Sequence, residues 1–223
     1  YGADFGIAWD GDFDRCFFFD ESGNFVDNYY LIGLLSEKLL ANHPNSSIVH
    51  DPRLVWNTQE DVKKNLGVPM LSKAGHSFIK EVMRENNAIY GGEMSGHHYF
   101  RDFYYSDSGM IPWLLLLQSI SESGKTLSEL VSERVSKFPI SGEINTTVAN
   151  PQQLLETIKN HYQQYDPAID DLDGYSFDFK TWRFNLRMSN TEPLVRLNVE
   201  SRENQKLMEE KTKEILGLID QHK

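Results

Sequence analysis

Three carboxylates stand at alternate positions in Trp9-Asp10-Gly11-Asp12-Phe13-Asp14-Arg15, between the apolar runs Phe5 to Trp9 and Cys16 to Phe19. Two like charges about 4 Å apart repel by about 1 kcal/mol in water, and by about 4 kcal/mol at an effective dielectric near 20. A folded chain holds such a cluster most easily around a cation. Apolar runs on both sides place it on a tight loop between two β-strands, and Gly11 lets the backbone turn sharply there. Hard oxygen ligands at alternate positions suit Mg²⁺, which takes a few carboxylates and fills its octahedron with water or phosphate oxygen.

The residues alone leave other readings open. An acidic turn can simply face solvent. An EF-hand calcium loop would put Glu21 at its last position, but Arg15 stands where that loop needs glycine, and its flanks would be helices. A haloacid dehalogenase-type phosphatase would use Asp10 as nucleophile. Its pattern asks for Thr at the place of Asp14 and a second acidic pair, for which Asp170 and Asp171 lack a good preceding strand.

The 223 residues carry a formal net charge of −11. That balance disfavours nucleic acid or an anionic membrane as partner. Cys16 is the single cysteine, so no internal disulfide can form. The longest apolar run, Ile111 to Leu117, is too short to span a bilayer, and a cytoplasmic location is expected. The chain opens at Tyr1 on a strand that lacks the rest of its sheet, so a fragment of a longer protein is expected.

Beyond the acidic loop, helices are predicted at about 29–42, 56–66, 77–87, 109–123 and 127–137, with strands at 48–50, 68–71 and 88–90 between them. This alternation indicates a layered α/β domain. The pattern changes at Pro139 to Gly142. Strands at 143–148, 175–179, 182–186 and 194–199, with helices at 151–162 and 204–220, describe a small α+β domain.

Two further loops carry chemistry. In Gly91-Gly92-Glu93-Met94-Ser95-Gly96-His97, three glycines admit close backbone approach. Glu93 can accept bonds from vicinal hydroxyls, with Ser95 and His97 as neutral partners; a plain Gly-rich turn is the alternative. In Arg187-Met188-Ser189-Asn190-Thr191-Glu192-Pro193-Leu194-Val195-Arg196, two arginines bracket a Ser-Asn-Thr turn suited to phosphate oxygens. Ser189 and Glu192 also fit a helix capping box, but the run after Pro193 continues as strand. His76 and Arg53 each follow a strand; either could meet a phosphate, and His76 could shuttle a proton.

The three loops, in this order and spread over the whole chain, resemble the α-D-phosphohexomutase superfamily, and the fuller text looks like its bacterial phosphomannomutases. The resemblance implies an end of domain 2 at 1–23, an α/β domain 3 at 24–138, and a TATA-box-binding-protein-like α+β domain 4 at 139–223. It implies Mg²⁺ on Asp10, Asp12 and Asp14, with Arg15 steadying the transferring phosphate. Glu93, Ser95 and His97 would hold the sugar, and Arg187, Ser189, Asn190, Thr191 and Arg196 the other phosphate. His76 and Arg53 would stand near the transferring group as acid–base candidates. The implied partners are a hexose phosphate, a hexose 1,6-bisphosphate intermediate and the N-terminal domains of the same chain. The implied activity is exchange of mannose 6-phosphate and mannose 1-phosphate for GDP-mannose synthesis; phosphoglucomutase is the nearest rival. No T-x-S-H-N-P serine motif occurs, so the fragment alone is expected to be inactive, at most a sugar-phosphate-binding module. Two positions depart from the family pattern. Phe13 replaces the middle glycine of D-G-D-G-D-R, which implies that the loop avoids a conformation reserved for glycine. Arg53 often stands as Lys, and an arginine stabilises charge more readily than it accepts a proton.

Overall fold

The computed structural model describes residues 2–189 and 192–222. These divide into two compact units, one of residues 2–51 and 55–135, the other of 52–54, 136–189 and 192–222.

The first unit begins with a small antiparallel sheet of β1 (Gly6–Trp9), β2 (Cys16–Phe19) and β3 (Phe25–Val26). The acidic loop is therefore a hairpin connection, with Trp9 opposite Cys16. Asp27 caps α1 (Asn28–Leu40) by accepting the Tyr29 N–H. There follow β4 (Ser47–His50), α2 (Trp56–Lys64), β5 (Val68–Leu71), α3 (His76–Glu85), β6 (Tyr90–Gly92), β7 (His98–Phe100), β8 (Ser106–Asp107), α4 (Pro112–Ser123) and α5 (Leu127–Lys137). The second sheet runs β5-β4-β6-β7-β8, parallel across its first three strands and antiparallel beyond.

Alternation along its strands explains the layering. Ile48 and Tyr90 face a core shared with Ile32, Leu35 and Val62, while Val49 and Tyr99 face one shared with Ile79 and Met83. The two faces of the sheet thus pack against α1 and α2 on one side and α3 on the other. Gly91 and Gly92 sit in the middle strand between these layers, not in a loop. A Cβ on Gly91 would lie 2.7 Å from Met83 Sδ, and one on Gly92 would lie 2.6 Å from Ile32. This corrects the reading of both glycines as ligand-approach positions. The strand expected at 88–90 lies at 90–92 and takes in both glycines.

The second unit forms one antiparallel sheet ordered β10-β11-β12-β13-β9, from β9 (Ile144–Thr147), β10 (Ala168–Asp170), β11 (Tyr175–Asp178), β12 (Trp182–Met188) and β13 (Leu194–Ser201). Helices α6 (Pro151–Tyr162) and α7 (Gln205–Asp220) start at Asn150 and Asn204 caps. Trp182, Phe184 and Leu186 on β12, and Val195, Leu197 and Val199 on β13, join Leu154, Ile158, Met208 and Ile215 in one core. The intervening Arg183, Asn185 and Arg187 pair with Glu200, Asn198 and Arg196 on the other face. Among the described residues no helix is long and apolar enough to cross a membrane.

Candidate functional site

In the first unit, the acidic loop and the Gly-Glu-Met-Ser-Gly-His loop are joined by backbone. Arg15 and His97 form an isolated antiparallel bridge, and the Cys16 N–H donates to Gly96 O at 3.1 Å. Asp10, Asp12 and Asp14 present oxygens within 4.8 Å of one another. Arg15 engages Asp10 twice, through Nε at 2.6 Å and its own N–H at 3.2 Å. Burial would raise the Asp10 carboxyl, but Arg15 outweighs it and holds the group below its ordinary value. Asp14 behaves differently: burial, with Asp10, Asp12 and Asp107 nearby, raises it despite His97. Asp14 Oδ1 is buried and has no hydrogen-bond partner. A divalent cation would satisfy that oxygen and offset the mutual repulsion, so the residues present fit Mg²⁺.

The loop reaches this shape with Phe13 at φ +62°. This is a left-handed conformation, but not one reserved for glycine, so it agrees with the expectation drawn from Phe13. That region is open to side-chain-bearing residues in a narrow well near +57°, at a cost of about 1–2 kcal/mol. The Phe13 ring is 54% exposed and lies 6.2 Å from the Trp9 ring. The hairpin strands around the loop remove the EF-hand reading. With both oxygens of Asp10 held by Arg15, a nucleophilic Asp10 has little support.

Glu93 is 2% exposed. Its Oε1 accepts the Gly75 N–H at 2.7 Å and its Oε2 accepts the Tyr99 hydroxyl at 2.6 Å. The carboxylate is thus gripped from behind, with further lone pairs left on both oxygens. Gly75, at φ +117°, is where α3 begins, and His76 follows it. Ser95 is half-buried on the same loop as Glu93. His97 Nδ1 lies 3.0 Å from Asp107 Oδ2 and 3.7 Å from Asp14 Oδ2, and its ring is 5.3 Å from that of His76. Asp10, Asp12, Asp14, Arg15, His76, Glu93 and His97 therefore belong to one linked set.

The second unit gathers the arginines. Arg187 and Arg196 are direct cross-strand partners, an arrangement that repels unless a counter-charge intervenes. Glu143, one residue before β9, supplies it. Arg196 Nη1 donates to Oε1 at 2.9 Å, while Arg187 Nη2 and Arg53 Nη1 donate to Oε2 at 3.2 and 3.3 Å. Burial pushes the Glu143 carboxyl up, but Arg53, Arg187 and Arg196 together hold it below its ordinary value. Arg53 is 4% exposed and is grouped here with the two arginines of the β12–β13 turn, an association the sequence reading did not make. Arg187 Nε is buried with no hydrogen-bond partner. Ser189 begins the turn, its N–H donating to Leu194 O at 2.9 Å; Asn190 and Thr191 lie outside the described residues.

Asp107, Lys80, Tyr99 and Glu143 were not singled out from sequence. Each acts through a partner distant in the chain, and isolated acids or lysines carry no local pattern. The one local hint was Glu143 directly after the domain boundary at Gly142.

Comparison with known proteins places the chain in a family. The model for "Phosphoglucomutase/phosphomannomutase, alpha/beta/alpha domain III" matches residues 27–138, and that for the C-terminal domain of the same family matches 143–217. A protein of Xanthomonas campestris pv. campestris named "Phosphohexose mutases" is 58% identical over 219 residues, 98% of this chain and 49% of that protein. A "Phosphomannomutase" of Escherichia coli K12 is 55% identical over 221 residues, 99% of this chain and 48% of that protein. The chain thus spans about half the length of these relatives. A crystal structure of a phosphoglucomutase/phosphomannomutase family protein from Burkholderia thailandensis shares the fold, with TM-score 0.82 at 24% identity, over 99% of this chain and 48% of that one.

Proposed function

Because the chain belongs to the phosphoglucomutase/phosphomannomutase family, we propose that it forms the sugar- and phosphate-holding part of a phosphomannomutase, exchanging mannose 6-phosphate and mannose 1-phosphate. The observation that carries this reading is the backbone bridge from Arg15 to His97, which joins the acidic loop to the loop that carries Glu93, Ser95 and His97.

In this reading a phosphoserine on the part of the protein outside this chain gives its phosphoryl group to a sugar hydroxyl. The new O–P bond forms as the serine O–P bond breaks, and the hydroxyl proton leaves to a base. The hexose 1,6-bisphosphate so formed turns over and returns its other phosphate to serine. Asp10, Asp12 and Asp14 would hold Mg²⁺, whose charge stabilises the phosphoryl oxygens in flight. Arg15, oriented by Asp10, adds a guanidinium next to the metal loop. Glu93, braced by Gly75 and Tyr99, accepts from vicinal hydroxyls, with Ser95 beside it. Arg187 and Arg196, with Ser189, Asn190 and Thr191 in the turn, grip the phosphate that stays on the sugar. Arg53, fixed on Glu143, contributes charge there instead of serving as a base. His76 and His97 are the candidates to take the hydroxyl proton. Supply of mannose 1-phosphate for GDP-mannose is the corresponding metabolic use.

The test is conversion of mannose 1-phosphate by the intact protein, started with catalytic bisphosphate and Mg²⁺, beside a parallel assay with glucose 1-phosphate. Conversion of the mannose ester supports the reading. Conversion of the glucose ester alone replaces it with phosphoglucomutase, and conversion of neither overturns it.

A further inference from the structure

The helix-covered side of the second unit holds a cavity of about 640 Å³, a size typical of small-molecule sites. Tyr162, Tyr165, Phe179 and Trp182 supply its rings, and α7 supplies its charges. Residues alternate along β12, so Trp182 joins the core under the helices while Arg183 and Arg187 lie on the opposite face. The cavity is therefore separate from the arginine cluster. Gly217, in the last turn of α7, forms part of its wall. Glycine is the poorest helix former after proline, so its presence there asks for a reason. Its backbone is not left-handed, and a Cβ there would meet nothing within 4 Å. Neither a turn nor close packing calls for glycine; an open cavity wall does.

We propose that this cavity binds a small planar aromatic anion, a ring carrying a carboxylate or a phosphate. The rings argue for the planar part. Phe179 and Trp182 stack with centroids 4.3 Å apart, Tyr162 meets Trp182 edge-on at 6.1 Å, and Tyr165 is 59% exposed. Such walls favour a flat ring over a saturated one of the same size, through stacked and edge-to-face contacts. The charges argue for the anionic part. Glu214 is already engaged: its Oε1 accepts the Tyr162 hydroxyl at 2.8 Å and its Oε2 takes Lys211 Nζ at 2.7 Å. Lys211 Nζ also lies 5.1 Å from the Trp182 ring centre. Lys213 has no hydrogen-bond or ion-pair partner among the described residues. Lys211 and Glu214 cancel, so Lys213 leaves this lining positive in a chain whose formal net charge is −11. A local positive site on an acidic protein selects an anion from solution.

Calorimetric titration of the intact protein with naphthalene carboxylate and with naphthyl phosphate tests this, the tighter of the two naming the anionic group. Saturable binding of at least one is expected. Gly217→Leu closes the open wall and should weaken that binding by about tenfold or more. The fold should survive the change, because leucine is the better helix former and the added Cβ meets nothing within 4 Å; the melting midpoint should hold or rise. Lys213→Gln changes an exposed side chain. It should weaken binding by about threefold and reduce its salt dependence. Naphthalene methanol, which lacks the charge, and decalin carboxylate, which lacks the flat ring, should each bind about threefold or more weaker than the aromatic anion. The proposal is overturned if neither aromatic anion binds saturably, if Gly217→Leu binds as tightly as the wild type, or if either control ligand matches the aromatic anion. Self-association of the wild type that Gly217→Leu abolishes would also overturn it, by giving the cavity to a second copy of the chain. None of these readings depends on turnover, so they stand whether or not the mutase assay succeeds.

Discussion

The two units handle concentrated charge in opposite ways. In the first, Arg15 engages Asp10, but Asp14 keeps a buried oxygen with no hydrogen bond and a carboxyl raised by its surroundings. In the second, three guanidiniums share one carboxylate, and the Glu143 carboxyl is held low by them. The acidic loop therefore gains from an added cation. The arginine cluster carries its own counter-ion and keeps its geometry without an added anion. The acidic loop is completed by an added charge; the arginine cluster is balanced from within.

The largest effect should come from breaking the acidic half. Asp12→Asn removes one of three charged oxygens and should lower turnover of the intact protein by about 100-fold or more, with weaker Mg²⁺ binding by titration of the chain. Near-normal turnover would remove the metal assignment. Next, Glu143→Ala leaves Arg187 facing Arg196 with no counter-charge. It should destabilise the second unit by about 2–3 kcal/mol, seen as faster amide exchange in β12 and β13 while β4 and β6 stay protected. Equal exchange in the wild type and Glu143→Ala would mean Glu143 does not organise the cluster.

Acid should then separate the units. His98 is fully buried with Nδ1 on the Tyr90 hydroxyl at 2.6 Å, and burial pushes it down to about 3. Below an ordinary value of about 6.5, the unfolded chain takes a proton there that the folded chain does not. Stability of the first unit should fall as pH drops from about 6.5 toward 5, by a slope of order 1 kcal/mol per pH unit. Glu143, lowered in the fold, costs the second unit stability only as pH falls through the carboxylate range. Exchange rates against pH test this, and a His98→Gln variant should flatten the first-unit slope. The smallest effect is Phe13→Gly. Relief of the left-handed strain is about 1–2 kcal/mol, and the lost Trp9 contact and added unfolded-state freedom offset most of it. A melting midpoint close to wild type is expected, whereas a large loss would give the Phe13 ring a structural role.

Most of the fold was legible because its signals are local. Helix spacing in α1, the Pro151 start of α6 and the alternation of β12 and β13 lie within single segments. The misses follow from distance or weakness. β3 has two residues and β10 is an exposed three-residue edge strand, too short for periodicity to register. The Arg134 bridge to Asp61 and Glu37 joins α5 to α2 and α1 across the first unit, and no sequence pattern announces it. In the candidate site, the residues of the three loops carry local motif patterns that a sequence reading can single out. The residues behind them were not: Glu93 is braced by Tyr99 and Gly75, His97 by Asp107, and the arginines by Glu143. Such supports are set by the register of β7 with β8 and of β9 with β13, which emerges only once the sheets are assembled.

The measurement that tests the central claim most directly is calorimetric titration of mannose 1-phosphate into this chain and into Arg187→Ala. The account predicts saturable binding to the wild type, weakened about tenfold or more by the variant, because a charge-assisted phosphate contact is lost. Binding of equal strength to both, or none to the wild type, would contradict the claim that these residues hold the sugar phosphate.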